Sequence, residues 1–308
     1  MKSEDIMKIL VVSGFLGAGK TTFIKEMAEK TGQDFVVMEN EYGEVGIDKT
    51  LLDEGNDINI WELTEGCICC SMKSDFASSI LTIANTLDPE YLIVEPTGVG
   101  VLSNVIHNIQ QIEYERISLL SPVTIVDANC FDHYMRDYRD IFEDQLKAAG
   151  TIVISKRSFS SPEEMDAFLA KIRAVNPDAR IQAEHYSHME RSWWETLLNT
   201  GLNGTSIAPE KMETPNLLSL GLTGISLPGP NHLIWFLEQL IRGAYGTICR
   251  AKGFIDVGGT LLRFDVVDDR YSITGFEESE QPKSIFIGPK IKRRELRKLL
   301  IKELRKSS

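Results

Sequence analysis

The chain has 308 residues, of which 43% are hydrophobic and 25% are charged. This composition is typical of a globular protein long enough for two domains, and it excludes disordered, collagen-like and coiled-coil chains. The 45 acidic and 33 basic side chains give a net charge of −12, which disfavours binding to nucleic acid or to an anionic membrane surface.

No segment approaches the roughly 18 consecutive apolar residues of a membrane span, and the apolar run at residues 9–12 is too short for the core of a secretion signal. We therefore expect a cytoplasmic protein. Three of the five cysteines lie at Cys67, Cys69 and Cys70. In a reducing compartment, this crowding favours metal or redox chemistry over a set of disulfides.

Short apolar runs alternate with amphipathic stretches through the first two thirds of the chain. Buried strands are predicted at residues 9–12, 35–38, 91–94, 123–126 and 152–154, and helices at about 20–30, 73–87, 101–112, 131–148 and 162–175. This βαβ alternation predicts an α/β fold, in which a parallel sheet carries helices on both faces.

The pattern changes after residues 201–216, which are rich in Gly, Asn, Thr, Ser and Pro and predict a linker. We expect a first domain at 1–200 and a smaller α+β domain of split βαβ type at 217–308. Its predicted strands lie at 222–227, 247–257, 260–267, 271–276 and 284–287, with a helix at 231–242 and another at the C-terminal end.

Residues 13–22 read SGFLGAGKTT and match the G-x-x-x-x-G-K-[ST] motif between a predicted strand and a predicted helix. In such a loop, backbone N–H groups surround the β-phosphate, Lys20 meets the β and γ oxygens, and the Thr21 hydroxyl binds Mg²⁺. The motif does not distinguish a small-molecule kinase from an ATPase or a GTPase. The predicted nucleotide-binding residues here are Gly14, Gly17, Ala18, Gly19, Lys20, Thr21 and Thr22.

An acidic segment at residues 39–48 follows the second predicted strand and contains Glu39, Glu44 and two further carboxylates. In an open α/β sheet, ligands bind at the carboxyl ends of the strands. The segment is therefore either a ligand-binding loop or an ordinary solvated acidic loop.

A second segment places Cys67, Cys69 and Cys70 in a C-x-C-C pattern. Three thiolates favour Zn²⁺ or another thiophilic metal and leave one coordination position for a further ligand. By spacing alone, metal binding and buried free thiols are equal alternatives.

The strand predicted at 91–94 ends in Glu95, and Gly98 follows three residues later. A carboxylate at this place can hold the water shell of Mg²⁺, and the Gly98 N–H can sense a γ-phosphate. Asp127, which follows the strand at 123–126, is a rival for the carboxylate role, although a capping Asp is its simpler interpretation.

In this order, the four motifs resemble those of the CobW-like P-loop GTPases, which are relatives of the urease and hydrogenase nickel-insertion GTPases. The matching segments are residues 13–22 for the phosphate loop, 39–48 for the first switch, 62–72 for the metal motif and 95–98 for the second switch. Residues 249–254 and 285–288 also resemble signature runs of the C-terminal domain of that family.

The resemblance implies a GTPase that acts as a metallochaperone or metal-insertion protein, with GTP, Mg²⁺ and Zn²⁺ as cofactors. Zinc or cobalt would bind at the CxCC motif, with Glu39 or Glu44 as a fourth ligand, and would pass to a client metalloprotein or to the cobalamin pathway. The resemblance also implies catalytic roles for Lys20, Glu95 and Gly98. The alternative is a nucleotide-gated partner or regulator of a corrinoid or other metalloprotein, without metal transfer. A homodimer is compatible with either function.

The base-reading motif differs from the family pattern. Residues 155–158 read SKRS, so that Ser155 and Lys156 are the predicted base-side residues and Ser158 stands where the family has Asp. A serine hydroxyl cannot reproduce the charged bidentate pair with guanine. We therefore expect a weaker preference for GTP over ATP than in relatives with the Asp. His185 and His188 form an H-x-x-H pair, for which an ordinary surface position is the simpler interpretation.

Overall fold

A computed structural model of the chain describes residues 6–39, 58–62, 73–114, 116–156, 159–202, 208, 217–275 and 281–301. These residues divide into two compact units, the first of which ends before residue 215 in chain order.

The first unit contains a parallel sheet of eight strands in the order β3-β2-β4-β1-β6-β7-β8, with β5 paired to the first residues of β1. The strands are β1 Met7–Gly14, β2 Phe35–Glu39, β3 Ile58–Glu62, β4 Tyr91–Glu95, β5 Ile117–Leu119, β6 Val123–Asp127, β7 Thr151–Ser155 and β8 Arg180–Gln182. The described helices are α1 Lys20–Thr31, α2 Lys73–Thr86, α3 Leu102–Gln110, α4 Phe131–Asp137, α5 Arg139–Lys147, α6 Pro162–Val175 and α7 Arg191–Asn199.

Successive residues of a strand point to opposite faces of the sheet, so the buried strands contribute to two cores. One core joins Val37 and Ile93 to Phe23 of α1 and Trp194 of α7. The other core lies on the opposite face, where Met38 and its neighbours pack against α2 and α3. The predicted α/β class with helices on both faces is confirmed.

The predicted helix at 131–148 is wrong in one respect, because the structure has two helices there. The backbone leaves the helical region at Tyr138, which has φ −136° and ψ 34°. The Tyr138 ring lies 5.0 Å from the ring of Phe15, and this contact accompanies the break between α4 and α5. The elements β3, β5, β8 and α7 were not predicted from the pattern.

The second unit is built on an antiparallel sheet in the order β14-β13-β12-β15-β9, with β10 paired in parallel to β12 and a separate β11–β16 pair. Its elements are β9 Leu218–Thr223, β10 Ser226–Leu227, α8 Pro230–Ile241, β11 Gly246–Thr247, β12 Arg250–Val257, β13 Thr260–Val267, β14 Arg270–Gly275, β15 Lys283–Gly288, β16 Lys290–Ile291 and α9 Arg293–Leu300. Since β9 and β12 are both antiparallel to β15 and flank it, β9, α8 and β12 form a split βαβ unit.

Apolar residues of α8 and α9 pack on one face of this sheet and form its core, as Phe236 and Leu296 illustrate. The strand predicted at 222–227 is interrupted at Gly224, whose φ of 64° lies in the left-handed region. The segment predicted as one strand at 247–257 is likewise divided between β11 and β12. Within the described residues, no helix has the length and apolarity to cross a membrane.

Candidate functional site

The loop between β1 and α1 has the backbone shape that a phosphate loop requires. Gly14, Gly17 and Gly19 have φ values of 142°, 72° and 103°, which L side chains rarely adopt. Gly19 is the N-cap of α1, whose first turn has neither a side-chain cap nor an acidic residue. The helix N-terminus therefore presents backbone N–H groups and a positive dipole end to an anion.

Lys20 occupies the inside of this loop. Its side chain is buried, and Nζ donates to the carbonyl oxygens of Gly14 at 2.9 Å and Phe15 at 3.4 Å. The loop backbone thus wraps around the ammonium group, which in this motif meets the β- and γ-phosphate oxygens. Thr21 and Thr22 follow in the first turn of α1, and Thr22 is exposed.

Aromatic side chains from α4 and α5 hold the start of the loop. The buried ring of Phe15 lies 4.1 Å from Tyr134 and meets Phe142 edge-on at 6.3 Å. The Tyr134 hydroxyl also donates to the Leu16 carbonyl at 3.4 Å. Sequence reasoning missed these contacts, because aromatic residues three or four positions apart indicate only the apolar face of a helix.

Two buried carboxylates lie beside the loop at the carboxyl ends of adjacent strands. Glu39 of β2 and Glu95 of β4 are register partners, with exposed fractions of 5% and 9%. They share the sheet face that packs on α1, because Val37 and Ile93, two residues earlier in each strand, belong to the core that contains α1. The Thr21 hydroxyl lies 3.4 and 3.5 Å from the two carboxylate oxygens of Glu95.

This donor set fits a hard cation. The Thr21 hydroxyl and the carboxylates of Glu39 and Glu95 offer oxygen ligands only, and Mg²⁺ binds oxygen and keeps several of its waters. Glu62 is the register partner of Glu39 on the outer side of the sheet. Three glutamates therefore end three neighbouring strands at one sheet edge.

Gly98 lies directly against the phosphate loop. A Cβ atom built on Gly98 would be 2.5 Å from the backbone nitrogen of Leu16 and 2.8 Å from its Cα, too close for any side chain. The reason for glycine here is space, because the φ of Gly98 is not in the left-handed region. The second predicted switch and the phosphate loop are thus in contact through backbone atoms.

Two polar residues of α5 that the sequence did not single out hold the segment after β4. The Gln145 Nε2 donates to the carbonyl oxygens of Gly98 and Gly100, at 3.1 Å each. The Asp144 carboxylate accepts from the backbone N–H of Ser103 at 3.2 Å, in the first turn of α3. Adjacent polar residues at buried positions of an amphipathic helix are the signal that could have identified them.

The predicted base-side residues also contact the phosphate loop. Ser155 is buried at the end of β7, and its hydroxyl lies 2.7 Å from the Ala18 carbonyl oxygen, to which it donates. The Lys156 ammonium donates to the Gly17 carbonyl, and the carbonyl of Lys156 accepts from the amide of Asn129. Lys156 has a φ of 48°, so its backbone is in the left-handed region.

Asp127 has the capping role that was its simpler interpretation. Its carboxylate accepts from the Asn129 N–H at 3.0 Å and caps the short 3₁₀ turn Ala128–Cys130.

Several predicted site residues lie outside the described part of the chain, namely Cys67, Cys69, Cys70, Glu44 and Ser158. Within the described part, no three His, Cys, Asp or Glu side chains are grouped so that they could hold a metal ion. His185 instead contacts the Ser187 hydroxyl at 2.7 Å, and His188 lies 3.6 Å from Glu184. The acidic and cysteine segments begin at Glu39 and Glu62, which are register neighbours.

Comparison with known proteins identifies the family of this chain. Residues 8–183 match the family model of the CobW/HypB/UreG nucleotide-binding domain, which is more than half of the chain. The chain belongs to this family. The predicted resemblance is therefore confirmed for the nucleotide-binding domain.

Several proteins to which this chain is similar have names that refer to a metal. The chain is 31% identical over 178 residues to the zinc chaperone YjiA of Escherichia coli, covering 55% of each chain. It is 26% identical over 316 residues to zinc-regulated GTPase metalloprotein activator 1 of Dictyostelium discoideum, covering 84% of this chain and 65% of the relative. The crystal structure of zinc-bound YjiA GTPase aligns with a TM-score of 0.48 and 21% identity, over 95% of this chain and 97% of that one. The chain spans about half the length of the bacterial chaperones that it matches.

Proposed function

We propose that this protein is a Mg²⁺-dependent GTPase and a metallochaperone, which binds a thiophilic metal, zinc or cobalt, and delivers it to a client metalloprotein or to the cobalamin pathway. The observation that carries the GTPase part is the contact of Gly98 with the phosphate loop at Leu16. A backbone N–H placed at this point can sense whether a γ-phosphate is present, which is how hydrolysis becomes a conformational signal.

In the proposed reaction, a water molecule attacks the γ-phosphate of GTP and releases phosphate and GDP. The loop N–H groups from Gly14 to Gly19 bind the phosphates, and the Lys20 ammonium exchanges its carbonyl partners for phosphate oxygens. Thr21 and Glu95 would hold Mg²⁺ and its waters. When bound, Mg²⁺ supplies positive charge that stabilises the transferring phosphoryl group.

For the base, we propose a preference for GTP over ATP that is weaker than in relatives with an Asp at the position of Ser158. Ser155 and Lys156 support this reading because their polar groups bond to the phosphate loop. With these contacts, the Lys156 stem would lie along the base of a bound nucleotide and would accept either guanine or adenine. Discrimination depends on a site-built acceptor for the guanine N–H groups, and a hydroxyl replaces only part of that acceptor.

For the metal, we propose that Cys67, Cys69 and Cys70 bind one thiophilic ion and that Glu39 or Glu44 supplies the fourth ligand. The names of the relatives, which are zinc chaperones and zinc-regulated activators, support a metal of this class. The register of the glutamates supports coupling, because Glu39 lies beside Glu95 and next to the start of both loop segments. Linkage then requires metal and GTP to change each other's affinity by the same factor.

The experiment measures zinc affinity in the presence of GDP and of a non-hydrolysable GTP analogue, together with phosphate release from GTP. The wild type is compared with the triple variant Cys67→Ala, Cys69→Ala, Cys70→Ala. Cys249→Ala is the matched control, because that thiol is buried and donates to the Ile287 carbonyl. We expect one zinc per chain in the wild type and the control, and loss of this site in the triple variant.

Undiminished zinc binding in the triple variant would contradict the site, and equal zinc affinity in both nucleotide states would contradict the coupling. The transfer of zinc from the loaded protein to a metal-free client separates a chaperone from a nucleotide-gated regulator. If GTP-dependent docking occurs but no zinc moves to the client, the protein is a regulator.

A further inference from the structure

The side chain of Gln145 in α5 is fully buried, and its amide nitrogen donates hydrogen bonds to the segment that follows β4. Its exposed fraction is 0%, and Nε2 lies 3.1 Å from the carbonyl oxygens of both Gly98 and Gly100. Carbonyl oxygens only accept hydrogen bonds, so the amide nitrogen must face them and the side chain has a single orientation.

Gly98 is held between two parts of the unit. On one side, its Cα approaches the Leu16 backbone so closely that no Cβ would fit. On the other side, its carbonyl oxygen is bound by Gln145. Further along the chain, Asp144 binds the N–H of Ser103. The hydrogen bonds from Gln145 and Asp144 of α5 therefore hold Gly98 at this distance from the phosphate loop.

The hydrogen bonds of the Gln145 amide are made by its nitrogen. The Oε1 atom of Gln145 is buried and has no hydrogen-bond partner among the atoms of the described residues. An apolar side chain of the same length would remove this buried oxygen, but it would also take the Nε2 donor away from the buried carbonyl groups of Gly98 and Gly100. The side chain is better explained by what its nitrogen binds.

We propose that Gln145 is a positioning residue for the second switch, which holds the Gly98 peptide against the phosphate loop so that its N–H meets the γ-phosphate. This inference rests on the proposed GTPase function. GDP lacks the γ-phosphate, and its own phosphates would contact only the glycine loop and the start of α1. Loss of the Gln145 donor therefore weakens triphosphate binding selectively.

The test is the variant Gln145→Met, which keeps the length of the side chain and removes the donor. Affinities for GDP and for a non-hydrolysable GTP analogue are measured with Mg²⁺ present, by titration of fluorescent nucleotides. We expect the analogue to bind about tenfold more weakly than to the wild type, because the variant loses two hydrogen bonds. We expect the GDP affinity to change by less than about twofold.

Thr124→Val is the matched control. The Thr124 hydroxyl donates to the backbone carbonyl of Gln145 at 2.9 Å, so its removal perturbs the same helix without touching Gly98. This control should lower the melting temperature while leaving the ratio of the two affinities unchanged. Gln145→Leu is a second variant in case the methionine variant does not fold, since a leucine side chain is also apolar, has no hydrogen to donate and should give the same selective loss.

An equal loss of affinity for both nucleotides, or no loss for either, in a folded Gln145 variant overturns the positioning role. A shift of the ratio in Thr124→Val as large as that in Gln145→Met also overturns it, since the effect would then come from the helix as a whole. The wild type tests the proposed function separately. If it neither binds nor hydrolyses GTP, the GTPase assignment is refuted and the positioning role with it.

Discussion

Replacing Gly98 by alanine measures how closely the second switch must approach the phosphate loop. The new Cβ atom would lie 2.5 Å from the nitrogen, 2.8 Å from the Cα and 2.9 Å from the Cδ2 of Leu16. Carbon atoms in favourable contact are about 3.5–4.0 Å from their neighbours. Two of the three close atoms belong to the backbone, so the two segments must separate by about 1 Å.

The size of the effect follows from this displacement. A misplacement of about 1 Å in a catalytic group lowers the reaction rate by about 100-fold. Overpacking of a well-packed region lowers the free energy of unfolding by about 1–3 kcal/mol. We therefore expect Gly98→Ala to be folded at room temperature, to melt several degrees below the wild type, and to release phosphate from GTP about 100-fold more slowly.

The assay is steady-state phosphate release from GTP, with thermal unfolding of the same preparations. Gly275→Ala is the control, because a Cβ at Gly275 would have no atom of the described residues within 4 Å apart from its chain neighbours, and the φ of Gly275 is not in the left-handed region. Turnover within threefold of the wild type in Gly98→Ala would refute the reasoning, since it would show that the two segments can separate without loss of function.

Three further variants test other parts of the first unit. Lys20→Ala should lower GTP turnover by at least about 100-fold while the protein unfolds cooperatively, because its ammonium lies inside the loop, and near-normal turnover would contradict this. Lys156→Met should weaken GTP and ATP binding by the same factor in competition titrations, because the lost ammonium bonds to the Gly17 carbonyl, whereas a loss confined to GTP would assign it to the base. Burial, with a smaller contribution from the Glu26 charge, raises the pKa of Tyr186 to about 12, above the value of about 10 for an unfolded chain. The neutral phenol therefore contributes stability that is present below pH about 10 and is lost as the pH rises toward about 12. Denaturant unfolding of Tyr186→Phe should show a smaller loss of stability across this range, and an equal loss in both proteins would contradict the burial argument.

Local chemistry determined which motifs the sequence could reveal. The glycines of the phosphate loop are required by left-handed φ values at Gly14, Gly17 and Gly19, and such requirements depend only on neighbouring backbone atoms. The strands β1, β2, β4, β6 and β7 are buried on both faces. Each is therefore a continuous apolar run, which the sequence shows without any knowledge of the neighbouring strands. The order of these motifs was sufficient for the family assignment.

Tertiary structure decided which of these motifs touch one another. Gln145 lies 47 positions from Gly98 in the chain, and Thr21 lies 74 positions from Glu95. Such pairs form because a parallel sheet brings the carboxyl ends of distant strands to one edge and packs helices across them. Neither hydrophobic periodicity nor local propensity predicts a contact between residues so far apart in the chain. Such a contact depends on the strand order and on the position of α5 over the sheet. The sequence by itself therefore determined the phosphate loop and the motifs that follow the neighbouring strands, and the packing of α5 against the segment after β4 determined how Gly98 is held.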